Sequence, residues 1–383
     1  MDSLLSWRAE FPILETCTYL VSHSLGAMPR RARRYLETFA DQWDHRGVRA
    51  WHEGWWEIGA VTGNLLAPIL GVRPQSITMH QNATVAQAIV ASCFSFNRRR
   101  RKIVLQDLDF PTNHYLFEGC RRYGAEIVYV PSQDFVRAPI DQLVDAIDED
   151  TALVPISLVL FRSGCLQDVR FVIEKAHRVG ARVVLDVYQA AGTVPMHLEQ
   201  LGVDFAVGGS VKWLCGGPGA GYLYVRPDLI NELRPSAVGW AGHASPFGFE
   251  TGEIRHAAGV ERFQSGTPNV PALYSARAGY EIVAEVGVPA IREKSLRQTR
   301  RLIDAAARHG WRLNTPPADD ERGGTVVLDV PNGAGVAAAL LKAHVIVDHR
   351  PNAGIRLAPH FYTTDAEIDK AIQTMETLVG VAG

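Results

Sequence analysis

Short apolar runs alternate with helical patterns between about residues 75 and 225. The helical stretch 169–179, for example, places Val172, Ile173 and Ala176 on one face. Strands that alternate with helices in this way form a mainly parallel sheet with helices on both faces. The pattern therefore predicts an α/β fold, with strands at residues 103–105, 127–130, 152–156, 183–185, 205–207 and 221–225.

A different pattern begins near residue 280. Residues 280–310 form a long, charged helical stretch, and a second strand-helix-strand-helix series follows it. The length of 383 residues suits two domains, because a domain typically has about 150 residues. We predict a large domain over residues 26–279 and a smaller C-terminal α/β domain over residues 280–383, completed by the N-terminal segment 1–25.

Composition and charge exclude several classes of protein. Hydrophobic residues make up 47% and charged residues 21%, as in ordinary globular proteins. The formal net charge of -2 gives no long-range attraction for nucleic acid. A basic run at residues 98–102 (RRRRK) leads directly into an apolar run, so we interpret it as a solvated turn before a strand.

Cysteine usage and the N-terminus indicate a cytoplasmic location. The five cysteines are an odd number without Cys-x-x-Cys spacing, which argues against disulfides and a zinc site. The N-terminus lacks the charge and apolar core of a signal peptide. No window approaches the apolar run of about 18 residues that a membrane span needs. We expect no metal, no membrane and no nucleic-acid partner.

Two strand ends carry a carboxylate and an amine. Asp186 follows the apolar run 181–185, while Lys212 follows the run 203–207 and precedes glycines at 216–219. Ligands of open α/β sheets bind beyond the carboxyl ends of the strands. Pyridoxal phosphate needs this pair, since an amine forms the imine and an anion keeps the pyridine nitrogen protonated. The alternatives are a cap or turn for Asp186, a solvated position for Lys212 and a hairpin for the glycines.

Two further strand ends offer complementary contacts. Ala83 and Thr84 precede the helical pattern 85–92, where backbone and hydroxyl donors could bind a phosphate at a helix N-terminus. The alternative for Thr84 is a plain N-cap. Phe110 follows another strand end and could stack on a planar ring, with core packing as its alternative. Together with Asp186 and Lys212, these features predict a pyridoxal-phosphate site.

Several motifs spread over nearly the whole chain carry a family resemblance. They are residues 19–26 (YLVSHSLG), 49–56 (RAWHEGWW), 81–84 (QNAT), 110–115 (FPTNHY), 185–192 (LDVYQAAG), 212–219 (KWLCGGPG), 239–243 (GWAGH), 265–268 (SGTP) and 347–356 (VDHRPNAGIR). The set resembles the class V aminotransferase group of pyridoxal-phosphate enzymes of fold type I. Within that group, the motifs at 49–51 and 239–243 resemble those of kynureninases.

The resemblance implies a homodimer whose active site lies at the subunit interface. It also implies fold type I, in which a large domain with a mainly parallel sheet is joined to a smaller C-terminal α/β domain. Lys212 and Asp186 would be catalytic, bonding the cofactor and pairing with its pyridine nitrogen. The implied cofactor-binding residues are Ala83, Thr84, Phe110, Thr112, Asn113, Asp186, Gln189, Ser210, Lys212, Trp240 and, from the neighbouring subunit, Thr267.

The resemblance also implies a substrate side of the pocket. Arg356 would bind the substrate α-carboxylate, because a guanidinium binds carboxylates in a bidentate manner. Trp51, His52, Ser24 and His243 would line this side, together with Trp240. Core or interface packing is the alternative for these aromatic and histidine side chains.

Some positions depart from the kynureninase pattern. Gln189 stands where kynureninases have the His of Asp-x-x-His, and it is similar to the Asp-x-x-Gln of cysteine desulfurases. Val211 replaces the tyrosine before the lysine, and Asn113 replaces the Asp of Phe-Pro-x-Asp. Leu160 and Phe161 replace an Asn-Tyr pair. We therefore predict that L-kynurenine is a poor substrate, and that the substrate is another amino acid with a γ-carbonyl or a β-leaving group.

The favoured function is a kynureninase-type hydrolase. Lys212 would remove the α-proton, water would add to a γ-carbonyl, and the Cβ–Cγ bond would break to release alanine. Alternatives are carbon-sulfur lysis, epimerisation, decarboxylation or transamination, and a non-catalytic protein that binds the cofactor. A persulfide-forming desulfurase is disfavoured, because it needs a mobile cysteine near the carboxylate arginine and no cysteine follows Cys215.

Overall fold

The computed structural model describes residues 2–97 and 99–382. Its strands are β1 (Thr18–Tyr19), β2 (Ile77–His80), β3 (Lys102–Gln106), β4 (Glu126–Val130), β5 (Thr151–Ser157), β6 (Arg182–Asp186), β7 (Phe205–Gly209), β8 (Gly221–Val225), β9 (Arg312–Leu313), β10 (Val326–Asp329), β11 (Val345–Ile346), β12 (Asp348–Arg350) and β13 (Gly354–Leu357). Its α-helices are α1 (Arg30–Arg46), α2 (Ile58–Leu70), α3 (Ala83–Ala91), α4 (Pro111–Gly119), α5 (Ile140–Asp145), α6 (Arg170–Val179), α7 (Leu198–Leu201), α8 (Pro227–Ile230), α9 (Val270–Val286), α10 (Val288–His309), α11 (Gly333–Lys342) and α12 (Asp365–Ala382).

The central sheet has the strand order β2-β8-β7-β6-β5-β3-β4. Neighbouring strands from β7 to β4 are parallel, whereas β8 is antiparallel to both β7 and β2. The six runs predicted from the sequence are all strands of this sheet, so the predicted mainly parallel α/β fold is confirmed. The strand β8 reverses direction because the short segment from β7, which carries Lys212, contains no crossover helix.

A second sheet lies in the C-terminal part, in the antiparallel order β12-β13-β10-β9. The N-terminal strand β1 pairs with β11, and Leu20 packs in the same core cluster as Leu302, Val326 and Ile355. The helix α9 continues through the predicted domain boundary at residues 279 and 280. The division into two domains therefore stays a prediction.

The long helical stretch predicted at residues 280–310 is two helices. The helix α9 ends at Val286 and α10 begins at Val288. Gly287, between them, has a φ of 84°, which favours glycine, and Pro289 occupies the first turn of α10. The helical character predicted for this stretch is present, and the break within it was not predicted.

The basic run enters a strand as predicted. Arg98 lies outside the described residues, Arg99 to Arg101 are exposed, and Lys102 begins β3. Within the described residues, each helix is either too short or too polar to cross a lipid bilayer.

Candidate active site

A cavity of about 220 Å³ opens beyond the carboxyl ends of β5 and β6. Its lining contains seven of the predicted site residues, which reach it from separate parts of the chain. They are Ala83, Thr84, Phe110, Thr112, Asp186, Gln189 and Lys212. The remaining lining residues are Asn82, Ser157, Val159, Phe161 and Tyr188.

Lys212 projects between two aromatic rings of this cavity. Its Nζ lies 4.4 Å from the centroid of the Tyr188 ring and 5.7 Å from that of Phe110. Burial lowers the pKa of Lys212 to about 8, although the nearby Asp186 carboxylate acts in the opposite direction. About a tenth of the amine is therefore uncharged at pH 7, far more than for an ordinary lysine, and the uncharged form is the one that acts as a nucleophile or base.

The backbone of the lysine segment is held by the N-terminal segment. Gly26 donates its N–H to the carbonyl of Val211 at 2.7 Å. A Cβ at position 26 would lie 2.1 Å from the Lys212 carbonyl oxygen, so a side chain there would displace the segment. The family motif at residues 19–26 therefore contains a glycine at the point where the N-terminal segment approaches the backbone of the lysine segment.

Asp186 is the last residue of β6 and is buried. Its Oδ1 accepts the N–H of Tyr188 at 2.8 Å, and within the described chain no arginine or lysine forms an ion pair with it. Burial raises the pKa of Asp186, while the Tyr188 N–H and Lys212 lower it. The turn contact expected as an alternative is present, but it leaves the Oδ2 atom able to meet a cationic group in the cavity.

The N-terminus of α3 forms one end of the cavity. Asn82 is its N-cap, with Oδ1 accepting the N–H of Val85 at 3.0 Å, so the alternative that Thr84 is the N-cap is wrong. Thr84 Oγ1 instead lies 3.4 Å from Thr112 Oγ1. Two hydroxyls beside a helix N-terminus are suited to bind a phosphate.

The face of Phe110 is available to a ligand. Its side chain is 44% exposed, which excludes core packing, and its ring meets Phe161 edge-on at 5.1 Å. The nearby Asn113 is buried and accepts a hydrogen bond from Gln87 at 2.8 Å. Asn113 therefore joins α4 to α3 and lies outside the cavity lining.

Two polar residues predicted at the site are engaged elsewhere. Ser210 Oγ lies 2.6 Å from the Ala220 carbonyl oxygen and 2.5 Å from the Tyr280 hydroxyl. Gln189 lines the cavity, but its Nε2 donates to the His23 carbonyl and its Oε1 accepts from the Trp213 indole, both at 3.1 Å. The roles of both residues towards the cofactor stay predictions.

Arg356, on β13, forms a buried ion pair behind the cavity wall. Its Nε and Nη2 donate to the two carboxylate oxygens of Asp348 at 2.7 and 2.6 Å. Its Nη1 donates to the carbonyl of Phe161, a lining residue, at 2.8 Å. His23 Nε2 lies 3.3 Å from the same Asp348 carboxylate.

The other predicted residues lie outside this lining. Ser24 is exposed in a turn, and Trp51 packs edge-on against Trp55. His52 and Trp240 approach the exposed Phe247 ring. His243 accepts the N–H of Ser245. Thr267 lines a separate, small cavity. Their roles stay predictions.

Five of the lining residues, Val159 among them, were not predicted as site residues from the sequence. Asn82 had a signal, because a short polar residue directly before a helix is a preferred N-cap. Ser157 ends β5 and Tyr188 lies two residues after Asp186, so the strand-end rule would have found both. Phe161 had no local signal, because its place depends on the hairpin that joins Val159 to Leu166.

Comparison with known proteins identifies the group. The family described as Aminotransferase class-V matches residues 28–360. The chain belongs to this class V aminotransferase family. It is 31% identical to the kynureninase of Bacillus anthracis over 395 residues, which cover 99% of this chain and 92% of that protein. The kynureninase of Pseudomonas fluorescens is 30% identical, with 98% and 92% covered. An uncharacterized aminotransferase of Bacillus subtilis is 31% identical, with 96% and 95% covered.

Solved structures support the same fold. A cysteine desulfurase from Thermococcus onnurineus NA1 superposes with a TM-score of 0.86 at 19% identity, covering 98% of both chains. The cystine C-S lyase C-DES gives a TM-score of 0.84 at 21% identity, covering 95% of this chain and 98% of that one. The chain has fold type I and is a pyridoxal-phosphate-dependent enzyme. Its cavity fits the cofactor, because it combines an amine, a buried carboxylate without a basic partner, an open aromatic face and a helix N-terminus.

Proposed function

We propose that the enzyme is a hydrolase of the kynureninase type, which cleaves the Cβ–Cγ bond of an amino acid to release alanine and a carboxylic acid. The observation that carries the proposal is the similarity to kynureninases, which extends over 99% of this chain and 92% of the relative. The cavity around Lys212 and Asp186 supports it, because amino-acid chemistry of this kind begins with removal of the α-proton.

Each residue of the proposed site has a separate role in this reaction. Bound pyridoxal phosphate supplies an electron sink for the negative charge that develops at the substrate Cα. Lys212, with a pKa of about 8, accepts the α-proton on Nζ. Asp186 holds the proton on the pyridine nitrogen, and Phe110 with the N-terminus of α3 fixes the ring and the phosphate. Arg356 binds the substrate carboxylate through the guanidinium hydrogens that Asp348 and Phe161 leave free.

The departures from the kynureninase pattern bear on the substrate. Gln189 has no titratable proton, and both ends of its amide are already hydrogen-bonded. Val211 has no hydroxyl. Two tyrosines offer a hydroxyl from another direction: Tyr188 lines the cavity, whereas Tyr115 is 77% exposed and lies outside the lining. We propose that L-kynurenine is a poor substrate and that the enzyme hydrolyses another amino acid with a γ-carbonyl. A substrate with a β-leaving group would instead assign the alternative lyase reaction.

Steady-state kinetics with L-kynurenine and 3-hydroxy-L-kynurenine test this part. A lost proton-transfer group typically costs about 10²–10⁴-fold in rate. We expect wild-type kcat/KM to lie well below about 10⁴ M⁻¹s⁻¹, the low end for ordinary enzymes, and to rise in Val211→Tyr. A wild-type value at or above that level would identify the protein as a kynureninase outright.

The reaction itself is tested by product analysis. The holoenzyme is incubated with a panel of amino acids, and products are identified by mass, with Lys212→Ala as the control. Alanine together with a carboxylic acid supports hydrolysis of the Cβ–Cγ bond. Sulfide, carbon dioxide, a changed configuration at Cα or an oxo acid would instead assign one of the other reactions. A protein that binds the cofactor and turns over none of the panel would contradict the enzyme assignment.

A further inference from the structure

A buried carboxyl group lies behind the active-site cavity, at Asp109. Its side chain is 2% exposed. Oδ1 accepts hydrogen bonds from the Ser157 N–H and from Gln106 Nε2, both at 2.9 Å. Oδ2 is buried and has no hydrogen-bond partner within the described residues. A buried carboxylate oxygen without a partner is costly, so this atom requires an explanation.

The surroundings of Asp109 are short of donors. Gln106 Oε1 and Gln167 Oε1 are also buried and unpartnered in the described chain. Gln167 Nε2 donates to the Ser157 carbonyl at 2.5 Å, so Asp109 and Gln167 both hydrogen-bond the backbone of one residue at the end of β5. A proton on Asp109 would reduce the cost of burying this unpaired oxygen, because a neutral carboxyl group is less costly to bury than an ionised one.

Charge also favours the protonated form. Ser157 is the register partner of Asp186 on the adjacent strand, and both line the cavity. The titratable groups that face Asp109 are the Asp186 carboxyl from β6 and His114, which approaches the Asp109 backbone from α4. No lysine or arginine of the described chain pairs with Asp109. Burial raises the pKa of Asp109 to about 7 against the lowering effect of its hydrogen bonds, and the nearby Asp186 carboxyl acts in the same direction as burial.

We propose that Asp109 is a positioning residue of the cofactor site, a neutral carboxylic acid that holds the end of β5 at Ser157 and leaves Asp186 as the ionised carboxylate facing the pyridine nitrogen. The inference rests on the cofactor site and not on the reaction that the enzyme catalyses. Above about pH 7, Asp109 loses its proton, and a second negative charge then appears beside Asp186.

The test is a pH titration of the holoenzyme, followed by the visible absorbance and circular dichroism of the bound cofactor. Asp109→Asn keeps the shape of the side chain and remains neutral at every pH. Asp107→Asn is the matched control, because Asp107 is two residues away and exposed. In wild type and Asp107→Asn we expect a spectral transition near pH 7, and in Asp109→Asn this transition should be absent. Cofactor affinity at pH 6 should differ by no more than about twofold among the three proteins.

Two results would overturn the proposal. The first is a spectral transition that appears in wild type and persists unchanged in Asp109→Asn. The second is a folded Asp109→Asn protein that has lost the cofactor at pH 6, because cofactor binding would then require a charged carboxylate at position 109. If Asp109→Asn folds poorly, infrared titration of the wild-type holoenzyme decides. A protonated-carboxyl band present at about pH 6 and lost by about pH 8 supports the proposal, and its absence at pH 6 contradicts it. A wild-type protein that binds no cofactor would contradict the site assignment separately.

Discussion

The environment of Lys212 makes its amine reactive. The side chain lies between the rings of Tyr188 and Phe110, and burial holds its pKa at about 8. We predict that the protein is yellow with bound cofactor and that borohydride fixes the cofactor irreversibly onto Lys212. Peptide mapping by mass spectrometry measures the labelled position. Lys102 is the internal control, because its ammonium is paired with Asp148 at 2.5 Å. Label on Lys102 or another lysine, or a colourless protein after cofactor is supplied, would contradict the assignment.

Arg356 owes its fixed position to Asp348. Burial acts to raise the pKa of Asp348, but hydrogen bonds from His23 and Arg356 outweigh it and hold that pKa below its usual range. The carboxylate therefore stays ionised at neutral pH, and the guanidinium is held beside the cavity wall.

We predict that Arg356→Ala weakens amino-acid binding by about 2 to 5 kcal/mol, because a buried charge partner of the substrate carboxylate is lost. Spectroscopic titration with substrate gives the affinity. Arg350→Ala is the control, since Arg350 also contacts Asp348 but its side chain is 49% exposed, and a smaller loss is expected. Unchanged affinity in Arg356→Ala would remove this residue from the substrate site.

Individual elements were predictable where the signal is local. Apolar runs located the strands of the central sheet, because buried parallel strands are continuously hydrophobic. The reversed direction of β8 was not predictable from its own residues, because direction depends on the length and content of the connection. The break at Gly287 did have a local signal, since glycine followed by Val288 and Pro289 is typical of one helix ending and another beginning.

The contact between the N-terminal segment and the lysine segment gives a prediction for an element. In Gly26→Ala, the new Cβ would meet the Lys212 carbonyl oxygen and the Cα of Cys215, so one segment must shift. We expect a loss of about 1 to 3 kcal/mol in the free energy of unfolding, together with weaker cofactor binding. Gly59→Ala, in α2, is the control, because its Cβ would meet no atom within 4 Å. Urea denaturation and cofactor titration measure both effects, and equal behaviour of the two variants would contradict the close approach.

At the scale of the whole molecule, the residues that carry the chemistry were easier to predict than the long-range contacts that hold them in position. Lys212, Asp186 and Phe110 follow strand ends, and fold topology brings strand ends together. The pairing of His23 with Asp348 joins residues 325 positions apart, and no local pattern reports such a contact. The same holds for the Arg356 guanidinium and the Phe161 carbonyl, which are 195 positions apart.

The proposed homodimer gives the last prediction, because Thr267 lies outside the Lys212 cavity of its own chain. Exposed aromatic side chains nearby, Trp240, Phe247 and Phe249, form an apolar surface of the kind that subunit interfaces cover. Sedimentation should therefore give twice the chain mass of 42.1 kDa.

A shared site predicts complementation between two defective proteins, Lys212→Ala and Thr267→Glu, each unable to form a complete cofactor site alone. In a mixed dimer, Lys212 of one chain meets Thr267 of the other, so random mixing should restore about a quarter of the wild-type cofactor absorbance. Each variant exchanged with itself is the control, and a monomeric mass or no restoration on mixing would contradict a site shared between two chains.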